Sequence, residues 1–204
     1  MRRRRVGAWF RLVRFSQAIS EGDGISLIVD VADVDSARAA AAEGAEAVAL
    51  TAAVGDLREV IDVPLLWRVS GLPSEAAIGG ADAWVLSVGA AGDDGEWLGR
   101  QHDEGLSLGL DCVVEVRNED ELELALERLD PEILLFSVGD EDEADALRRA
   151  LDLLPNVPAG KLAVAEVPVS SREQVDELER AGVDAVIVGA RTVAGLVGDA
   201  APPV

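Results

Sequence analysis

From residue 25 onward, short apolar runs alternate with turn residues and charged, helix-periodic segments. Eight runs fit strands: Ile25–Val31, Ala47–Thr51, Val63–Arg68, Ala83–Val88, Asp111–Val116, Ile133–Ser137, Lys161–Val167 and Asp184–Val188. They are built from Val, Ile, Leu and Ala without clean polar alternation, as expected of parallel strands covered on both faces. Helices are predicted between them at Ser36–Glu43, Gly55–Val60, Ser74–Ile78, Trp97–Gly105, Glu119–Leu129, Glu141–Leu154 and Arg172–Ala181, and a last one begins near Thr192. The 119–129 segment is representative: Leu122, Ala125, Leu126 and Leu129 form one stripe, while Glu121, Glu123, Glu127 and Arg128 face away. Residues 8–19 also read as an amphipathic helix, with Trp9, Leu12, Val13 and Phe15 on one side. It fits either a cover over one end of the domain or an arm for nucleic acid or membrane.

Several helix-to-strand junctions share one form, at Glu43-Gly44-Ala45, Gly79-Gly80-Ala81-Asp82 and Ala181-Gly182-Val183-Asp184. A glycine ends the helix in a left-handed cap and the chain turns directly into the next strand. Eight strand–helix units of about 23 residues fit a (β/α)₈ barrel better than an open sheet, which would expose two edges. The expected fold is a compact (β/α)₈ TIM barrel with a short N-terminal helix and reduced outer helices. Residues 1–24 would form a basic arm and N-terminal helix, and 25–204 the barrel.

Charge changes the picture of what such a barrel could bind. Lys+Arg total 18 and Asp+Glu 39, a formal net charge of −21. Residues 1–21 hold six Arg and one Glu, leaving 12 basic against 38 acidic side chains in the rest. A body that acidic repels a phosphate backbone, so nucleic acid is not an expected partner. No stretch reaches 18 apolar residues, so a membrane span is not expected either. There are 17 Arg but a single lysine, Lys161. The acidity suggests a protein kept soluble in strong salt, although GC-rich coding explains the Arg bias equally well. One cysteine (Cys112) and one histidine (His102) exclude an internal disulfide framework and a Cys/His zinc site, which favours the cytoplasm. No metal or cofactor is called for. The acidic run Asp140-Glu141-Asp142-Glu143 sits at a helix start, where carboxylates are favourable without any ion. Asp93-Asp94-Gly95-Glu96 reads as a solvated loop, and the four Trp are too scattered to form a stacking platform.

Barrel chemistry belongs at the C-terminal ends of the strands. That rule selects Asp30, Asp33, Arg68, Glu115, Arg117, Ser137, Asp140, Glu166, Gly189 and Arg191. Glu115 and Glu166 each end an apolar strand, where a charge is costly without a partner. They read either as an acid–base pair or as part of an ion-pair network with Arg68, Arg117 and Arg191 that closes the mouth.

Residues 109–197 resemble the second half of indole-3-glycerol-phosphate synthase, the lyase of tryptophan biosynthesis. The likeness runs through Gly109–Val116, Glu119–Leu129 and Ala181–Gly189, with weaker agreement at Ile25–Val31 and Val63–Leu66. Phe10–Ile19 takes the place of the short helix ahead of the first strand, and the family's longer N-terminal extension has no counterpart.

The resemblance implies a catalytic set that is largely replaced. The family's first-strand Glu is Asp30, and its Lys and Ser-Pro-Ser phosphate loop give way to Val31-Ala32-Asp33-Val34. The general-acid Lys of the third strand is Arg68, and the Lys after the fourth strand is missing from Val88-Gly89-Ala90-Ala91. Glu115 and Glu166 are retained, the Asn-rich loop becomes Ser137-Val138-Gly139-Asp140, and Ser-Gly becomes Val167-Pro168. Gly189 matches the phosphate-binding glycine.

Arg stays protonated in proteins, so Arg68 can stabilise negative charge but is a poor proton donor. The reading is therefore a degenerate barrel with little or no synthase activity. Glu115, Glu166, Asp30 and Arg68 hold the catalytic positions, and Gly189, Arg191 and Arg117 would bind a small anion or phosphosugar. The alternatives are a non-catalytic scaffold or partner subunit, with an apolar patch at Trp9, Phe10 and Phe15, or an active synthase rewired through His102. His102, amid Arg100, Asp103 and Glu104, reads instead as a solvated helix residue.

Overall fold

The computed structural model describes residues 14–21, 24–54, 57–92, 94–137 and 143–190. Its strands are β1 (Ser26–Val31), β2 (Ala47–Leu50), β3 (Leu65–Trp67), β4 (Ala83–Ser87), β5 (Asp111–Val116), β6 (Ile133–Ser137), β7 (Leu162–Glu166) and β8 (Ala185–Gly189). All neighbours pair in parallel and β8 closes onto β1, giving a closed eight-stranded barrel. The helices around it are α1 (Phe15–Ser20), α2 (Val34–Ala42), α3 (Pro73–Ile78), α4 (Val88–Ala91), α5 (Gly95–Ser107), α6 (Glu119–Arg128), α7 (Glu143–Leu153) and α8 (Arg172–Ala181). The compact (β/α)₈ architecture with shortened outer helices is therefore the one expected.

Two apolar clusters follow from the strand period of two. One set of side chains, including Ile28, Ala49, Leu66, Val113, Leu135 and Val164, fills the inside of the barrel. The other, including Val29, Leu50, Trp84, Val114 and Phe136, packs outward against the helices. Trp67 and Trp84 are register partners in that outer layer, so these two tryptophans are adjacent rather than scattered; both are buried.

The N-terminal end of the barrel is closed by α1. Phe15 and Ile19 are buried and belong to the inner cluster. The helix is pinned there because the Ser16 amide donates to Asp111 Oδ2 at 2.9 Å, and Arg14 pairs with the same carboxylate. Phe15 thus packs inside the barrel rather than forming an exposed patch. Trp9, Phe10, Leu12 and Val13 lie outside the described residues, as do Asp93, Asp140, Glu141, Asp142, Arg191 and the segment near Thr192.

The glycine junctions are explained in detail. Gly44, Gly80 and Gly182 all have positive φ, at 94°, 77° and 98°. Two residues later, Glu46, Asp82 and Asp184 each donate a backbone N–H to a carbonyl of the preceding strand. Each also accepts, through its carboxylate, the N–H of that same residue: Leu27 at 2.8 Å, Leu65 at 2.9 Å and Ala163 at 2.7 Å. The left-handed glycine is what turns the chain sharply enough for one residue to make both bonds.

Several boundaries differ from the sequence-based expectation. The helix expected at Gly55–Val60 is a single 3₁₀ turn, Leu57–Glu59. Val88 leaves the fourth strand and begins the four-residue α4, so the strand expected at Ala83–Val88 ends at Ser87. Trp97–Gly105 extends to Gly95–Ser107, because the Asp94 side chain accepts the Trp97 amide and caps an earlier start.

Candidate functional site

At the C-terminal rim the inward-facing positions carry polar side chains. Asp30 continues the inner row of Ile28, Arg68 that of Leu66, Glu115 that of Val113, and Glu166 that of Val164. Arg68 lies one residue beyond β3, where its amide still bonds the Leu50 carbonyl at 2.8 Å. This fixes the direction of its side chain across the mouth.

The structure brings three of these residues together. One Arg68 nitrogen donates to both Asp30 oxygens at 2.9 Å, and the other nitrogen donates to Glu166. The Arg68 side chain retains 12% exposure, against 35% for Asp30 and 30% for Glu166. Burial acts to lower the Arg68 pKa, but the facing Glu166 and Asp30 carboxylates outweigh it and hold the guanidinium above its ordinary value. Such a group binds negative charge and does not give up a proton at working pH.

Glu115 stands apart from this triad. It accepts from Arg117 at 3.2 Å, with 13% of its own side chain and 52% of that of Arg117 exposed. The Arg117 amide in turn donates to Glu121 Oε2, while Asn118 caps α6 by accepting the Glu121 amide. Gly189, at the exposed end of β8, is the register partner of Asp30, and Arg191 is outside the described residues. Asp33 is taken up in a capping box on α2: its carboxylate accepts the Ser36 amide at 2.7 Å and its pKa is lowered by those Ser36 bonds. Pro168 is exposed just beyond β7 and has no amide proton to offer an anion.

Lys161 sits at the opposite end of the barrel, where its ammonium donates to Asp130 Oδ1 at 2.6 Å and to the Pro131 carbonyl at 2.8 Å. His102 also faces that end, lining a cavity of about 160 Å³ with Arg14, Leu106, Asp111 and Cys112. Its side chain is only 12% exposed, which corrects the expectation of a solvated residue. The reason is geometric: it lies on α5 and faces the start of β5, sharing a cavity with Arg14, Asp111 and Cys112. Burial pushes the Cys112 thiol up to about 12, so it is not a nucleophile at neutral pH. Ser137, selected from the sequence as a rim position, ends β6, and one inward rim residue, Ser87, is missed by the sequence reading; a serine ending an apolar strand carries no distinctive signal.

Comparison with known proteins places this geometry in context. The family model described as Indole-3-glycerol phosphate synthase matches residues 74–195. A protein described as indole-3-glycerol phosphate synthase from Nocardioides sp. is 35% identical over 190 residues, covering 83% of this chain and 69% of that protein. One from Shouchella clausii is 28% identical over 144 residues, covering 68% and 56%. One from Variovorax paradoxus is 37% identical over 110 residues, covering 54% and 41%. The chain thus spans about half the length of the latter two. Among solved structures, the N-acetylmannosamine-6-phosphate 2-epimerase from Clostridium perfringens superimposes with a TM-score of 0.71 at 12% identity, covering 91% of this chain and 93% of that one. A structure described as native KDPGal gives a TM-score of 0.62 at 15% identity, covering 87% and 95%. These two likenesses concern the fold alone. By the family match over more than half its length and the Nocardioides relative, this chain is a divergent member of the indole-3-glycerol phosphate synthase family.

Proposed function

We propose that this chain binds a small anionic or phosphorylated sugar ligand at the barrel mouth, with little or no synthase turnover. Ring closure in the family requires a proton delivered to a substrate carbonyl as water and carbon dioxide leave. A lysine tuned downward by burial can do this. The observation that carries the reading is Arg68, held between Asp30 and Glu166 where the family has its general-acid lysine. The sole lysine of the sequence is engaged at the far end of the barrel. Glu115 and Glu166 remain as acceptors, Arg117 is half-exposed on the rim, and the chain end of β8 at Gly189 offers backbone to an anion.

The test is to titrate the protein with the indole product and with simple sugar phosphates, and to assay synthase turnover in high salt. Saturable binding without turnover is the expected result. Turnover well above background would overturn the reading and restore a carbon–carbon lyase of tryptophan biosynthesis. That enzyme would need a proton donor other than His102, which lies at the opposite end.

A second reading, a non-catalytic partner subunit, draws on Leu72, Ile78, Leu106 and Leu108, which are 49%, 88%, 47% and 44% exposed around α3 and α5. Absence of any small-molecule binding, together with a stable complex, would favour it.

A further inference from the structure

The base of the barrel, opposite the mouth, carries an apolar edge at the end of α5. Leu106 and Leu108 are half-exposed there, although Gly105 and Leu110 beside them are buried. Leu106 also lines the cavity of about 160 Å³ faced by His102, and Arg14 forms another of its walls. The surroundings are acidic. Asp111, Asp130 and Glu132 line the same cavity, and Asp103 is exposed on α5, 3.8 Å from His102. Arg14 pairs with Asp111 and Lys161 with Asp130, and Glu132 also acts on the Arg14 guanidinium. Four carboxylates therefore share two permanent cations beside two uncovered leucines.

The chain itself supplies the complementary chemistry. The thirteen residues ahead of Arg14 include five Arg and no acid, together with Val6, Trp9, Phe10, Leu12 and Val13. Trp9 precedes Arg14 by five positions, so even an extended backbone keeps it within about 18 Å of that residue. That is less than the roughly 20 Å spanned by a helix as long as α5, and it keeps Trp9 and Phe10 near the base. Covering two half-exposed leucines with aromatic rings is favourable, and the short tether gives the rings a high effective concentration there. We infer that residues 9–13 of this same chain cover Leu106 and Leu108, with Arg11 turned toward Glu132 and Asp103. The basic segment is then a cover for the barrel base rather than an arm for nucleic acid or membrane. It also takes Leu106 and Leu108 out of the surface open to a partner subunit. The inference is independent of what the mouth binds.

The experiment is limited trypsin digestion of the full chain, with the rates of cleavage after Arg5 and after Arg11 followed by mass spectrometry. Cleavage of a docked segment tracks the small population that has opened. Cleavage after Arg11 is expected to be at least about tenfold slower than after Arg5. Leu106→Glu and Leu108→Glu should each bring the two rates to within about twofold, because a carboxylate placed under the rings opposes docking. Leu72→Glu, at an exposed leucine just before α3, should leave the protection unchanged. A leucine variant whose barrel had opened would also be cut after Arg128 on α6. Trp9→Ser alters nothing in the barrel and should likewise release the protection of Arg11. The inference is overturned if the wild type is cut equally fast at both sites, or if protection survives in both leucine variants and in Trp9→Ser. Protection that grows with protein concentration would also overturn it, by making the occupant a second copy of the chain.

Discussion

Arg68 shows how one side chain can change the character of a site whose carboxylates survive. Its charge is matched by two acids of the mouth, so its removal leaves both facing each other in a partly desolvated place. Arg68→Met is expected to lose about 2–3 kcal/mol in urea unfolding, toward the lower end for a broken ion pair because Asp30 and Glu166 keep some solvent. Asp184 behaves differently. Burial raises its pKa above the ordinary 3.8, only partly offset by the Ala163 amide that bonds it. The folded state therefore holds its proton more tightly than the unfolded chain, and stability falls as pH rises from 3.8 through the folded pKa. Asp184→Asn keeps an oxygen for Ala163, so it should match the wild type near pH 3.8 and melt higher at pH 7. A difference that shrinks with rising pH would contradict this. Glu115, Glu166 and Arg68 could be found in the sequence because a charge ending an apolar strand is conspicuous. Which acid pairs with which cation could not be read: Asp30 and Glu166 lie 136 positions apart, and nothing local says that one guanidinium joins them.

Among the secondary-structure elements, the strands were the most readable, since buried parallel strands must be almost wholly apolar and glycine marks their approach. The short pieces were not. Leu57–Glu59 makes one 3₁₀ turn and α4 has four residues, lengths at which helical periodicity leaves no pattern to detect. The six-residue α1 is also short, yet its position is decisive because Phe15 fills the base of the inner cluster. Phe15→Ala is expected to cost about 3–5 kcal/mol by guanidinium unfolding, the usual loss for emptying a buried aromatic position. A change below about 1 kcal/mol would mean that the barrel base closes without it. The cap of α6 is a smaller contribution, and Asn118→Ala should cost about 1 kcal/mol in the same assay.

Taken as a body, the molecule carries a net charge of −21 around a closed barrel, and its like charges repel at low ionic strength. Raising salt from about 0.1 to 1 M shortens the screening length from about 10 to 3 Å. The melting temperature should therefore rise by at least about 4 °C, equivalent to 1–2 kcal/mol for a chain of this length. A flat or falling response would show that the surface acids are already balanced by their neighbours. The repeated strand–turn–helix order disclosed the closed architecture before any side chain was placed. The end that carries the candidate residues follows from the same order, whereas how those residues pair depended on contacts across the barrel. One of those contacts reaches beyond chemistry. A guanidinium that ties the third strand to the first and seventh acts as a crossbar over the opening. With that bar in place, strands that are not neighbours in the sheet are linked at the rim by charge, in addition to the backbone ladder that closes the circumference.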